Sequence, residues 1–210
     1  MHPLPQVDLC RRGELRVEKF LDAATEVFRE KGYQHAKLSE IVARAGGSLA
    51  TLYRVFGDKE GLAYAIVDRR LQAMSAIMDG LDLEGLPPEE GLRAAAERYT
   101  RSNTTDDAHL VHRLVIGEGH SFPALRDWFF ANALSSISTH LATYLRAQQE
   151  AGNIVLRNSP EQAALQFFDM LFGDLILRTA CGHLLNPNPE EVREFAMSGV
   201  ETFLHGVLPR

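Results

Sequence analysis

Between Lys37 and Lys59 the chain gathers hydroxyl and cationic side chains: Ser48, Thr51, Tyr53 and Arg54, with a lysine at either end. Such a set suits binding, with no paired nucleophile and base among its residues. Its chemistry is recognition, in which a phenol or ammonium meets a phosphate oxygen and fixes position without reading sequence. Tyr53 and Lys59 suit that role. Leu49 and Ala50 are small enough to pack on thymine methyls, Thr51 can bond a phosphate or a base edge, and Arg54 can reach a phosphate or a guanine edge.

Catalytic alternatives find no support in the residue pattern. There is no Gly-x-Ser-x-Gly elbow and no phosphate-cradling glycine loop, so an enzyme is not expected and no cofactor is implied. His109 and His112 share a helical face, with Glu118 and His120 beyond, but the closely spaced Cys/His pairs of a structural zinc site are missing. Hydrogen bonding between helices is the expected role of those histidines, and no metal site is assigned. Cys10 and Cys181 are far apart in sequence and fit thiols in a reducing cytosol.

The elements that must position the recognition set are two short helices. Leu38, Ile41, Val42 and Ala45 keep the i, i+3, i+4, i+7 spacing of one buried stripe, and Gly46 and Gly47 end that helix. Ser48 caps the next, whose buried side is Leu52, Val55 and Phe56. Two helices around a glycine turn, the second with a slim polar outer face, form a helix-turn-helix whose second helix fits the major groove of DNA. Ahead of it, Val17, Phe20, Leu21, Ala24, Val27 and Phe28 predict a helix from about Arg11 to Lys31, stopped at Gly32.

At fixed spacing, Ala23-Ala24, Phe28, Gly32-Tyr33, Ile41, Ala45-Gly46, Ser48, Thr51-Leu52-Tyr53, Phe56, Lys59 and Leu62 resemble the TetR-type transcriptional regulators. The resemblance covers roughly the first third of the chain and is carried by the joint pattern. It implies that Arg11, Arg12 and Arg16 can reach phosphates as a basic arm. Two positions depart from the family pattern. Lys37 stands where a threonine commonly bonds a phosphate. Gly47 stands where a small apolar residue such as valine precedes the serine, which is expected to loosen the turn.

The remainder reads as further helices. Asp58 caps one running to about Met78, and others are predicted at about 89–101, 109–117, 122–151, 160–181 and 189–206, with residues 103–107, Ser121 just before Pro123, Ser159-Pro160-Glu161-Gln162 and Asn188-Pro189-Glu190-Glu191 as start signals of the last four. No stretch alternates apolar and polar residues, so the expected fold is all-α with about nine helices: a DNA-binding domain over 1–58, its first ten residues a mobile tail, and a second domain over 59–210. The stretch Arg113-Leu-Val-Ile-Gly-Glu-Gly-His-Ser-Phe-Pro-Ala-Leu125 is similar to the C-terminal region of an AefR-like subgroup of that family, which implies a ligand-responsive domain.

The helix at 160–181 is apolar nearly all round and needs cover on more than one side. In the family the last two helices form a dimer, which nominates Phe172, Gly173 and Ile176 for an interface. Met74, Tyr99, Phe129 and Phe168, with polar Arg113, Asn132, His140 and Arg178 among them, are the candidates for a pocket holding a largely apolar ligand with at most one polar anchor.

Charge patterning agrees with this division. The 210 residues carry a net charge of −6, yet residues 1–60 hold ten Lys/Arg and nine Asp/Glu, so the acidity belongs to the second part. A basic face can form on the first part while the rest discourages indiscriminate coating of DNA. No leader and no membrane span is expected, and the expected setting is cytoplasmic. The resemblance implies a homodimeric repressor of operator DNA released by a small molecule. The alternative is a protein of the same fold acting as a nucleoid-associated factor or a protein-partner adaptor without an effector.

Overall fold

The structure, a computed structural model, describes the backbone of residues 11–207 and all of their side chains except those of residues 11, 12 and 133–138. The expected tail at 1–10, Cys10 and the side chains of Arg11 and Arg12 lie outside the described residues.

Nine α-helices and one π-helical turn make up the described residues, which contain no strand. They are α1 (Arg11–His35), α2 (Leu38–Ala45), α3 (Leu49–Phe56), α4 (Lys59–Asp79), α5 (Pro88–Asn103), α6 (Asp106–His112), the π turn (Arg113–Gly117), α7 (Pro123–Glu150), α8 (Pro160–Ala180) and α9 (Pro189–Val207). Proline opens α5, α7, α8 and α9, where its missing N–H is one the first turn could not use anyway. Side-chain caps do the rest. Asp58 accepts the Gly61 N–H at 2.8 Å, Thr105 the Ala108 N–H at 3.3 Å and Ser159 the Gln162 N–H at 3.3 Å.

Two expectations are corrected. The predicted single helix at 109–117 starts earlier, because Thr105 is its cap, and its last five residues widen into the π turn, where the Glu118 N–H reaches back five residues to the Arg113 carbonyl at 3.2 Å. Ser121 does not cap α7. Phe122 occupies the cap position, and the Ser121 N–H goes to the Glu118 carbonyl.

The chain divides into two compact units, one up to Arg70 and one from Leu71 onward, and the division falls within α4. In the first unit Phe20, Phe28, Ile41, Leu52 and Leu62 are fully buried, which joins the apolar sides of α1 to α4 into one core. In the second, Tyr99 packs on Phe168 and Phe172 with ring centroids 4.5 and 4.6 Å away, and Phe167 meets Phe203 edge-on. Each such ring contributes roughly 1.5–3 kcal/mol by leaving water. The entry to α5 is pinned by α7: the Tyr144 hydroxyl donates to the Leu86 or Pro87 carbonyl, and the Gln148 amide donates to the Leu86 carbonyl at 3.0 Å. Burial, then the Glu90 carboxylate, pushes the Tyr144 phenol up to about 12, so it remains a donor across ordinary pH.

Candidate nucleic-acid interface

Helix α3 has only eight residues, so its pose depends on what holds its ends. At its start Ser48 accepts the Thr51 N–H at 3.2 Å, and the two hydroxyls lie 2.9 Å apart. Just before it, the N–H groups of Gly46 and Gly47 both point at the Val42 carbonyl, and Gly46 takes the left-handed conformation (φ 69°, ψ 43°) that ends α2. Leu52 and Phe56 anchor the inner side in the core. The outer side shows Ser48, Leu49, Ala50, Tyr53 and Arg54 to solvent, with Thr51 half-buried and Tyr53 51% exposed. An exposed tyrosine and leucine on a short helix flanked by cations is what a groove-reading helix presents.

Five acids of the unit are paired with cations of the same unit. Arg44 on α2 binds Glu30 on α1 with both ends of its fork, at 2.8 and 2.9 Å, and also reaches Glu26 at 3.2 Å. Lys31 pairs with Glu40 at 2.8 Å. Arg69 on α4 reaches Glu18, Asp22 and the Thr25 hydroxyl, all on α1. The hydrogen bonds from Arg44 and Lys31 hold the carboxyls of Glu30 and Glu40 below the usual range. Lys37 and Arg54 enter none of these pairs. These clamps escaped the sequence reading, since Arg69 sits 44 to 51 residues from its partners and no periodicity marks them.

Lys59 has partners within its own unit. Its ammonium donates to the Gln34 and Ala36 carbonyls at 3.1 and 2.9 Å and lies 4.5 Å from the centre of the Tyr33 ring. Carbonyls left open after the helix breaks at Gly32 (φ 76°, ψ 160°) attract the nearest cation. Lys59 therefore ties the end of α1 to the start of α4. Lys37 precedes α2 in extended conformation with no side-chain cap bond, and its side chain is exposed. Gly47 does not loosen the turn as expected. A Cβ there would collide with Phe20 Cζ and stand 3.0 Å from Phe20 Cε1. The ring fills the space.

Of the pocket candidates, Met74, Tyr99 and Phe168 come together in the buried cluster of the second unit. The others separate. Phe129 is half-buried against Phe130, and His140 is bound to Asp79 at 3.1 Å. Asn132 is exposed and donates to the Trp128 carbonyl of its own helix, while exposed Arg178 pairs with Asp174 one turn away at 2.7 Å. Local partners on the same helix keep Asn132 and Arg178 outward. Arg113 is half-buried in the π turn. His112 Nδ1 lies 3.3 Å from Thr179 Oγ1, a bond between α6 and α8.

Among the interface candidates Phe172 is fully buried within its own chain, so its ring serves the core. Gly173 and Ile176 are partly exposed, and a Cβ on Gly173 would have open space around it. Within the chain, α8 and α9 approach closely at Gly199, whose Cβ position is 2.8 Å from Leu171 Cδ1. Exposed on the same two helices are Leu165, Met170, Leu177 and Phe195.

An all-helical chain whose first unit is a helix-turn-helix with an exposed, hydroxyl- and cation-bearing second helix is a DNA-binding regulator in class. Residues 20–66 match the model of bacterial regulatory proteins of the tetR family, and residues 90–206 match that of the C-terminal domain of AefR-like transcriptional repressors. The chain belongs to the TetR family, with an AefR-like C-terminal domain. Members of this family bind operator DNA and function as dimers.

Among its relatives, the A-factor receptor protein of Streptomyces griseus is 30% identical over 113 residues, which are 54% of this chain and 40% of that one. The chain thus spans less than half the length of that relative. The uncharacterised regulator YvkB of Bacillus subtilis is 26% identical over 83% of this chain and 88% of its own. Among solved structures, a TetR-family regulator from Mesorhizobium loti superposes with a TM-score of 0.79 at 23% identity, covering 95% of this chain and all of the other. The flavonoid-responsive regulator FrrA does so at 0.67 and 26%, covering 93% and 98%. These relatives are transcriptional regulators rather than enzymes. No helix among the described residues is long and apolar enough to cross a membrane.

Proposed function

We propose that this protein is a homodimeric, cytoplasmic repressor that leaves a near-palindromic operator when a small, largely apolar molecule binds its C-terminal domain. The DNA-binding domain of this reading is 1–58 and the effector and dimerisation domain 59–210. The observation that carries it is the outer face of α3, Ser48 to Arg54, held in place by the Ser48 cap and presented to solvent. The match of residues 90–206 to a repressor's C-terminal domain supports the sign of regulation. The name of FrrA, a flavonoid-responsive regulator, supports an aromatic or apolar effector.

In this reading Lys37, Tyr53 and Arg54 meet phosphates, and Leu49, Ala50 and Thr51 meet base edges. Ser48 holds the helix start and Lys59 holds the unit behind it. The dimer forms through the exposed apolar residues of α8 and α9. A second reading has one observation in its favour: Tyr99 packs on both Phe168 and Phe172, as in the filled core of a protein without an effector.

The test is selection of random duplex DNA by the full chain, followed by footprinting and competition with apolar small molecules. Enrichment of a two-fold-related sequence, lost on adding a ligand that raises the melting temperature, supports the reading. A ligand that stabilises the protein and leaves DNA affinity unchanged would remove the effector step. Binding without sequence preference would favour the nucleoid-associated alternative.

A further inference from the structure

Gly47 is the residue immediately before the cap of the recognition helix, and its conformation does not explain its identity. Its backbone lies outside the left-handed region that Gly46 occupies, so any residue could adopt it. What forbids a side chain is the ring of Phe20. A Cβ at position 47 would overlap Phe20 Cζ and lie 3.0 and 3.3 Å from Cε1 and Cε2. Phe20 is fully buried, so its ring has no solvent to swing into. The same ring meets Phe56, the last residue of α3, edge-on with centroids 6.2 Å apart and planes at 83°. One side chain of α1 therefore touches the approach to the recognition helix and its far end.

A helix ending on a left-handed glycine commonly gains an apolar contact from the residue that follows that glycine. Here that residue is Gly47, which has no side chain to give. The Phe20 ring, entering from α1, takes the space that such a side chain would occupy.

We infer that Phe20 and Gly47 are a size-matched pair that positions the recognition helix, and through it decides which bases Leu49, Ala50 and Thr51 meet. Adding bulk at position 47 displaces either the ring, which pulls on Phe56, or the backbone at Ser48, which carries the cap bonds to Thr51. Both shift α3 as a body. Removing bulk at position 20 makes room for a side chain at 47, so the two changes compensate. This inference rests on α3 being the DNA-reading helix.

The experiment uses the full chain and a duplex enriched from a random pool by the unaltered protein. Gly47→Ala, Gly47→Val, Phe20→Leu and the double variants Phe20→Leu/Gly47→Ala and Phe20→Leu/Gly47→Val are compared in duplex affinity, in relative affinity for single-base variants of the duplex, and in thermal unfolding. Affinities are read well below each unfolding midpoint, and the alanine variant guards against loss of fold in the valine one. Gly47→Ala should weaken binding by about fivefold or more and reorder preference among base variants, and Phe20→Leu/Gly47→Ala should recover most of the loss. Additive effects in the double variants would overturn the pairing. Coupling seen in unfolding with unchanged base preference would overturn the positioning role. If the unaltered protein enriches no duplex, the DNA-binding reading fails instead, and coupling in unfolding still decides whether the two residues form a pair.

Discussion

Tyr53 on α3 and Lys37 just before α2 are both exposed, so each should act on DNA through one contact. Tyr53→Phe removes a hydroxyl and Lys37→Ala a charge, and both should weaken binding about equally across operator variants. For Lys37→Ala the slope of log affinity against log salt should fall by roughly one unit, since one fewer counterion is released. A loss confined to one base position would show that these residues read sequence. Lys59→Ala should behave otherwise. Its charge-assisted bonds to the Gln34 and Ala36 carbonyls make it part of the fold, so unfolding free energy should drop by about 1.5 kcal/mol along with DNA affinity. An unchanged unfolding midpoint would return Lys59 to a phosphate role. From sequence alone Lys59 reads as a phosphate ligand, because residue type and spacing indicate what a side chain can bond. They do not show that two open carbonyls from the end of α1 lie within reach. Gly47 misled for the same reason, since the ring that fills its space sits 27 positions earlier.

Helices were legible where signals are local. The glycine stops at Gly32 and Gly46, the caps at Ser48, Asp58 and Ser159 and the opening prolines of α7, α8 and α9 lie within a turn of the boundaries they set. The pairing between helices was not legible, and the α1–α2 clamp is the example. Glu30 and Glu40 have their carboxyl pKa values depressed by Arg44 and Lys31, so the stability they contribute is present above the unfolded carboxylate range and is lost as pH falls through their folded values. Unfolding measured from pH 7 down to pH 3 should therefore steepen below about pH 4.5 in the unaltered chain and less so in Arg44→Met. Equal pH profiles would mean that the clamp adds nothing. On α8 and α9, Leu177 and Phe195 are 58% and 57% exposed within one chain, so Leu177→Glu and Phe195→Glu should leave the fold intact and yield monomers by sedimentation. A persistent dimer would place the interface elsewhere. The Tyr144 hydroxyl is the counterpart inside the second unit: Tyr144→Phe should cost about 1 kcal/mol of stability by removing its bond to the Leu86 and Pro87 carbonyls, with DNA affinity unchanged.

At the scale of the molecule, a near-neutral N-terminal part and an acidic remainder let one face meet DNA without the whole surface doing so. A dimer carrying two α3 helices would place them in successive major grooves on one side of the duplex, about 34 Å apart, which sets half-sites roughly 10 base pairs centre to centre or a multiple of that. The most direct measurement is the sequence enriched from random duplex DNA by the full chain, with hydroxyl-radical footprinting of the product. Two inverted half-sites at that spacing, protected on one face and lost together with Ala50→Glu, are the expected result. Protection without a repeated half-site, or binding that Ala50→Glu leaves intact, would contradict a recognition role for α3.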